Sequence, residues 1–270
     1  MATNLSAGDV AFLSLIADNP DTFSFVLLKN IDAGTIINVT DNGWLAAGSL
    51  RTGEGVLQYV APSAQTIGTV ITFVGNATTG SPDPGSSAGW TSVSGGTTFG
   101  LSTSGDSLIA FQGTLTGTGN TTTSTNPTVL AAVTTFRSAF DADATNTNTT
   151  ALPTGLTLGT NAVAVGQAAV EFDNSRYTGT TTFASVAAAR TAINTASNWT
   201  GSDTDLTNFT GTFNITSAPA TISSIDLSNY VRVGLFNLPV GAGALAEEVS
   251  AVTYNKDTDT LFVVGDEARS

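Results

Sequence analysis

Asp9-Val-Ala-Phe-Leu-Ser-Leu-Ile-Ala-Asp-Asn-Pro-Asp-Thr-Phe-Ser-Phe-Val-Leu-Leu-Lys-Asn-Ile-Asp-Ala-Gly-Thr-Ile-Ile-Asn-Val-Thr-Asp-Asn-Gly-Trp44 is the stretch that decides the fold. Two apolar runs, Val10–Ile16 and residues 23–28, flank Asp18-Asn19-Pro20-Asp21, residues that favour turns through local side-chain bonding and a fixed proline φ. The pattern reads as a hairpin whose strands are buried for most of their length. A third strand over 35–40 follows the Ala33-Gly34 turn and stops at Asp41-Asn42-Gly43, and Trp44 adds a large apolar surface beside that turn. No other part of the chain is so densely apolar, so this block is expected to supply the core of an all-β sandwich.

Outward from this block the same signals recur. Residues 55–60, Val70–Val74, 108–111, 129–133, 162–165 and 169–172 read as short strands. Residues 76–98, 113–126 and 141–150 are Gly/Ser/Thr/Asn-rich and read as loops. One segment breaks the β pattern. Phe183, Val186, Ala187, Arg190 and Ile193 fall at helical spacing, with Thr182 placed as a cap, so a helix is expected over 183–193. Residues 208–215 alternate apolar and polar side chains, the mark of a half-exposed strand. About ten strands are thus expected over 9–215, with Phe12, Leu15, Phe25, Leu27, Ile37, Leu108, Phe111, Leu130 and Val133 buried. The organisation reads as a sandwich over 1–216, a linker over 217–227 containing Pro219, and a β-hairpin arm over 228–270.

Composition narrows the function classes. Charged residues make up 11% of the 270, against roughly a quarter in ordinary soluble domains, so Thr, Ser, Asn and Gly must supply the polar surface. The formal net charge is −13, and the eight basic residues form no tract. Binding to the phosphate backbone, which depends on Lys and Arg, is therefore not expected. The chain has no Cys and no His. That removes disulfides, thiolate chemistry, Ser-His-Asp catalysis and His-containing zinc sites together. No apolar run approaches the roughly 20 residues of a membrane helix, so no membrane insertion is expected. The N-terminus shows no basic region followed by an apolar one, hence no visible signal peptide.

Few local patterns carry chemistry. Gly105-Asp-Ser-Leu108 spells a hydrolase tetrapeptide, but Ser107 would need a base to take its proton, and the usual His is absent. It reads as a turn opening a strand. Acids one residue apart occur at Asp141/Asp143, Asp203/Asp205 and Asp257/Asp259. Loop carboxylates of this kind suit Ca²⁺, which takes six to eight oxygen ligands, although none matches an EF-hand and solvated loop acids look the same in sequence. Asp141, Asp143, Asp203 and Asp205 are the metal candidates, whereas Asp257/Asp259 reads as turn chemistry. Asn-x-Thr triplets at Asn38, Asn148, Asn198 and Asn208 follow from an Asn- and Thr-rich composition. Trp44 and Trp199 read as core. Trp90 stands in a polar loop and is the candidate for stacking on a glycan.

Two parts of the chain are similar to known families. Gly8-Asp-Val-Ala-Phe, Ile31-Asp-Ala-Gly-Thr, Thr40-Asp-Asn-Gly-Trp44, Glu54-Gly-Val-Leu, Ser104-Gly-Asp-Ser-Leu-Ile-Ala-Phe111, Glu171-Phe-Asp-Asn174 and Asn198-Trp-Thr-Gly201 together resemble the lamin-tail-like β-sandwich modules of large secreted bacterial proteins. The resemblance covers 9–215. It implies an immunoglobulin-like sandwich and an extracellular or cell-surface setting, and it implies no activity. Tyr230-Val-Arg-Val-Gly, Glu248-Val-Ser-Ala-Val-Thr-Tyr254 and Asp257-Thr-Asp-Thr-Leu-Phe-Val-Val-Gly-Asp266 resemble the opening of the cyanobacterial phytase-like esterase propeller. The chain departs from that family after about one hairpin, and a propeller needs typically 4–8 closed blades. No catalytic residue carries over.

The expected function is a non-catalytic structural, adhesion or self-assembly module. A piece of a phytase-like esterase or phosphatase and a carbohydrate-binding module are the alternatives. An isolated hairpin is marginal in water, and its edges invite pairing. The arm is therefore expected to fold back, stay disordered, or add strands to another copy and build a homo-oligomer or filament. Tyr230, Val249, Val252, Tyr254, Leu261, Phe262 and Val264 are the candidate assembly residues.

Overall fold

The computed structural model describes residues 1–75, 87–94, 99–167, 170–204 and 206–216, and the backbone of 251–255 and 260–264. The chain forms two compact units, Met1–Ala220 and Thr221–Ser270. The first is an all-β sandwich. Its eleven main strands are β1 (Val10–Ile16), β2 (Thr22–Leu27), β3 (Ile36–Thr40), β4 (Val56–Val60), β5 (Val70–Val74), β6 (Trp90–Ser92), β7 (Ser107–Gln112), β8 (Thr128–Thr134), β9 (Ala162–Ala164), β10 (Asn174–Tyr177) and β11 (Trp199–Ser202). They form a five-stranded sheet ordered β11-β10-β1-β2-β5 and a six-stranded sheet ordered β9-β8-β7-β3-β4-β6. Within these two sheets β8 and β9 pair in parallel and all other neighbours are antiparallel.

Alternation along the strands explains the two layers. Phe23, Phe25 and Leu27 of β2 meet Ile37 and Val39 of β3, Leu108 and Ala110 of β7, and Leu130 and Val133 of β8 in one buried core. The alternate residues Val56, Ile109, Phe111 and Ala132 face the other side of the six-stranded sheet. There they pack with Trp44, Leu50, Ala151 and Leu156 in a second cluster. Both faces of this sheet are covered, which is why its strands read as nearly continuous apolar runs. All nine residues expected in the core are buried, none more than 2% exposed.

Several expectations fail, each for a local reason. Residues 170–173 form no strand. The ladder starts at Asn174, whose register across from Ser202 is set by pairing with β11. The helix is shorter than its period suggests: α1 spans Val186–Ile193 and is capped by Ser185, whose side chain accepts from Ala188 N, not by Thr182. Thr182 and Phe183 instead pair in parallel with Asn214 and Ile215. Of the strand expected over 208–215 only Asn214–Ile215 forms. Phe209 and Phe213 bury themselves four residues apart. The Asn208 carboxamide oxygen accepts the hydroxyls of Ser14 and Ser24 on the outer face of β1 and β2.

The second unit contains β12 (Ala251–Asn255) and β13 (Thr260–Val264), an antiparallel hairpin in which Ala251 pairs with Val264 and Asn255 with Thr260. Among the described residues it forms a sheet of two strands. Tyr230 and Val249, the other two assembly candidates, lie outside the described residues, as do Asp257 and Asp259.

Candidate functional site

Three carboxylates converge where β10 begins and β11 ends. Asn174 pairs with Ser202, so the next residues out, Asp173 and Asp203, are brought side by side, and Glu171 lies two residues upstream. Carboxylate oxygens of Glu171, Asp173 and Asp203 all lie within 4.8 Å of one another, with the first two half-buried and Asp203 exposed. Loss of solvent, reinforced by Asp173 and Asp203, pushes the Glu171 carboxyl up. Asp173 rises through loss of solvent and then through Asp203 and Asp18. The Glu171 Oε2 atom is buried without a hydrogen-bond partner. Hard oxygens at this spacing suit a cation such as Ca²⁺, with backbone or water oxygens completing its shell.

The sequence candidates distribute differently from their spacing in the chain. Asp203 belongs to this triad, and Asp205 lies outside the described residues. Asp141 is 3.4 Å from Arg137 Nε, and Asp143 Oδ1 accepts Ala46 N at 2.8 Å and Ala144 N at 2.9 Å. Those two acids therefore pin a loop, and among the described residues they join no third ligand. Glu171 and Asp173 were missed because only the register of β10 on β11 brings them to Asp203; the resembling stretch Glu171-Phe-Asp-Asn174 was the available signal.

Trp90 is a correction. It sits on β6, opposite Tyr59, and is 5% exposed. Its ring centroid is 5.2 Å from that of Phe23, 5.4 Å from Tyr59 and 5.5 Å from Phe73. Its indole Nε1 donates to Thr72 O at 2.9 Å. A flanking polar loop hid a core residue that joins the edges of the two sheets, and no face is left to stack on a sugar. Trp44 and Trp199 are buried as expected.

Ser107 opens β7 at 1% exposure, and its Oγ has no hydrogen-bond partner, so the tetrapeptide presents no nucleophile to solvent. The Asn-x-Thr asparagines serve the fold: Asn38 is fully buried, Asn148 Nδ2 donates to Gly105 O, and Asn198 Nδ2 donates to Ala192 O.

The densest polar constellation was not singled out in the sequence. Asp41 and Asp106 are fully buried, Glu54 is 7% exposed, and Asp21 lies beside them. Thr40, Asn42 and Glu54 are tied together: Asn42 Oδ1 accepts Glu54 N at 3.1 Å, Asn42 Nδ2 donates to Thr40 Oγ1 at 3.1 Å, and Thr40 Oγ1 donates to Gly55 O at 2.6 Å. Three of the resembling stretches, Thr40–Trp44, Glu54–Leu57 and Ser104–Phe111, meet at this junction.

Fold and sites together define a two-sheet β-sandwich held at one end by buried carboxylates, with a separate β-hairpin unit. No protein-family model, curated protein or solved structure matches the chain. No helix among the described residues is long and apolar enough to cross a membrane.

Proposed function

We propose that this chain is a non-catalytic extracellular module, an immunoglobulin-like, lamin-tail-like sandwich that serves structure, adhesion or self-assembly through its C-terminal strands. The observation that carries this reading is the β12–β13 hairpin. Its five-residue strands pair only with each other among the described residues, and a lone pair of strands with open edges gains stability by adding to another sheet. By register, Val252/Val263 and Tyr254/Leu261 share one face and Ala251/Val264 and Thr253/Phe262 the other. A hairpin apolar on both faces belongs inside a larger sheet assembly. The absence of His and Cys from the sequence and the burial of Ser107 and Trp90 weigh against hydrolysis and against glycan stacking. Glu171, Asp173 and Asp203 are the groups that would hold Ca²⁺.

Deleting residues 225–270 and measuring particle size by light scattering tests the reading. The full chain should form oligomers or filaments, and the deletion should leave a sandwich of monomer size. A full chain that stays monomeric at high concentration, unchanged by the deletion, refutes assembly. The resemblance of 228–266 to a phytase-like propeller supports a second reading, in which the hairpin opens the first blade of a larger esterase or phosphatase. Phosphatase turnover that is lost on mutating an acid would favour it.

A further inference from the structure

Segment 99–107 is held by carboxylates at three places, two from other parts of the sandwich and one, Asp106, of its own. Asp41, at the end of β3, accepts Gly55 N at 2.9 Å on one oxygen and Gly100 N at 2.8 Å on the other. Asp21, in the β1–β2 turn, accepts Leu101 N at 2.8 Å. Asp106, before β7, accepts Ser102 N at 2.8 Å and Ser107 N at 2.7 Å. Three successive amides, 100 to 102, thus hang on three separate acids. Between them the segment inserts Phe99 and Leu101 into the main core. Phe99 lies 5.9 Å, centroid to centroid, from both Phe23 and Phe73.

The charge balance of this junction is one-sided. Asp21, Asp41, Glu54 and Asp106 act on one another, and the cation facing them is Arg51, with Nη1 3.4 Å from Glu54. Glu171, on the loop that packs against Gly105, is repelled by Asp173 and Asp203. Residues 99–102 bring no charge of their own. Ionising several buried acids with one cation costs desolvation that their mutual repulsion increases.

We propose that Asp21, Asp41, Glu54 and Asp106 form a pH-sensitive latch, which holds segment 99–107 down while they are protonated and loosens it as they ionise. The backbone N–H donors favour the anions and oppose this effect, but burial outweighs them. Asp21 is pushed up to about 6 and Asp41 to about 7, chiefly by loss of solvent. Glu54 is pushed up to about 10 by loss of solvent and then by Asp41 and Asp106, and Asp106 is raised in the same way. In the unfolded chain these groups titrate near 4. The folded values are the higher ones, so the acids favour the folded state below about pH 4 and that contribution is lost as pH rises through 6 and 7 toward 10.

The test is urea unfolding of the whole chain at pH 5, 6, 7 and 8, followed by circular dichroism, with amide exchange measured at Gly100, Leu101 and Ser102. The folding equilibrium constant should fall by about a hundredfold or more from pH 5 to 8, since each proton taken up on folding changes it by up to tenfold per pH unit. After correction for base-catalysed chemistry, amides 100 to 102 should lose protection before those of β2. Asp21→Asn keeps an acceptor for Leu101 N and should flatten the fall between pH 5 and 7. Glu54→Gln should flatten the fall across the whole range from pH 5 to 8. Stability that is constant or rises from pH 5 to 8, or an Asp21→Asn variant with the wild-type slope, overturns the latch. The wild-type exchange profile decides by itself if either variant fails to fold.

Discussion

Replacing Trp90 separates a core residue from a ligand platform. Trp90→Ala removes a side chain 5% exposed that packs edge-on to Phe23, Phe25 and Phe73. Truncating a buried tryptophan costs about 3–5 kcal/mol. Losing the indole N–H also strips Thr72 O of its donor, a further cost of about 1 kcal/mol. The expected total, about 4–6 kcal/mol, is a large share of the roughly 5–15 kcal/mol that holds a domain folded. Trp90→Phe keeps much of the ring and loses the hydrogen bond, so it should cost about 1–3 kcal/mol. Urea unfolding of the sandwich, read by circular dichroism with both variants side by side, measures the two contributions. A Trp90→Ala loss below about 0.5 kcal/mol, the range of ordinary surface substitutions, would refute the assignment of this ring to the core. So would loss of sugar binding at unchanged stability.

Four further outcomes follow from named contacts. Ser185→Ala deletes the cap on Ala188 N and should cost about 0.5–2 kcal/mol in thermal unfolding, whereas Thr182→Ala should leave α1 unaffected. Gly201→Ala puts a Cβ 2.0 Å from Phe172 Cδ2; the ring must move, and a loss of about 1–3 kcal/mol is expected in urea. Calcium should raise the melting temperature of the sandwich relative to chelator through Glu171, Asp173 and Asp203, and Asp203→Asn should abolish the difference; an equal shift in the variant would place the ion elsewhere. Lysine at Val252 and Leu261, which share a face of the hairpin, should reduce particle size in light scattering without changing the melting of the sandwich.

How much of this was legible depended on where each residue's partners lie in the chain. β1 and β2 could be read because both their faces are buried, and the turn residues between them are local. Val70–Val74 was found with its bounds because it is a short apolar run between Gly68 and Gly75. Asn-Ser-Arg-Tyr and Trp-Thr-Gly-Ser are not apolar runs of that kind, yet they form β10 and β11, since pairing of β10 with β1 and of β11 with β10 imposes the strand from outside. Phe183 fits the helical stripe of α1 by spacing, but Ile215, 32 positions further on, draws it into a strand. The carboxylate sites were the hardest to see. Asp203 was a candidate through Asp205, its neighbour in sequence, whereas the structure supplies Glu171 and Asp173 across a ladder. Asp41 and Asp106 stood in the quoted stretches as turn residues and Glu54 as the first residue of one, and nothing local announces that an acid will be buried against distant amides.

The edges of the sandwich bear on where strand addition would occur. In the β2–β5 ladder Leu27 N bonds to Thr69 O and Gly75 N to Asp21 O, so by antiparallel alternation the peptide groups of Thr72 and Val74 point away from β2. Those groups are already occupied. Val74 N donates to Ser87 Oγ at 3.0 Å, Ser87 Oγ donates back to Val74 O at 3.3 Å, and Trp90 Nε1 takes Thr72 O. At the end of the six-stranded sheet, Ala162, Val163 and Ala164 of β9 are buried throughout, and Ala162 O accepts Gly159 N. At the other end of the five-stranded sheet, β11 has four residues, and Phe172 fills the space over Gly201. Side-chain capping, burial and shortness are the devices by which edges resist pairing. Association through strands should therefore bypass these three edges and run through the proposed assembly arm, and a mixture of full chain with the 225–270 deletion should not incorporate the deleted form into its oligomers.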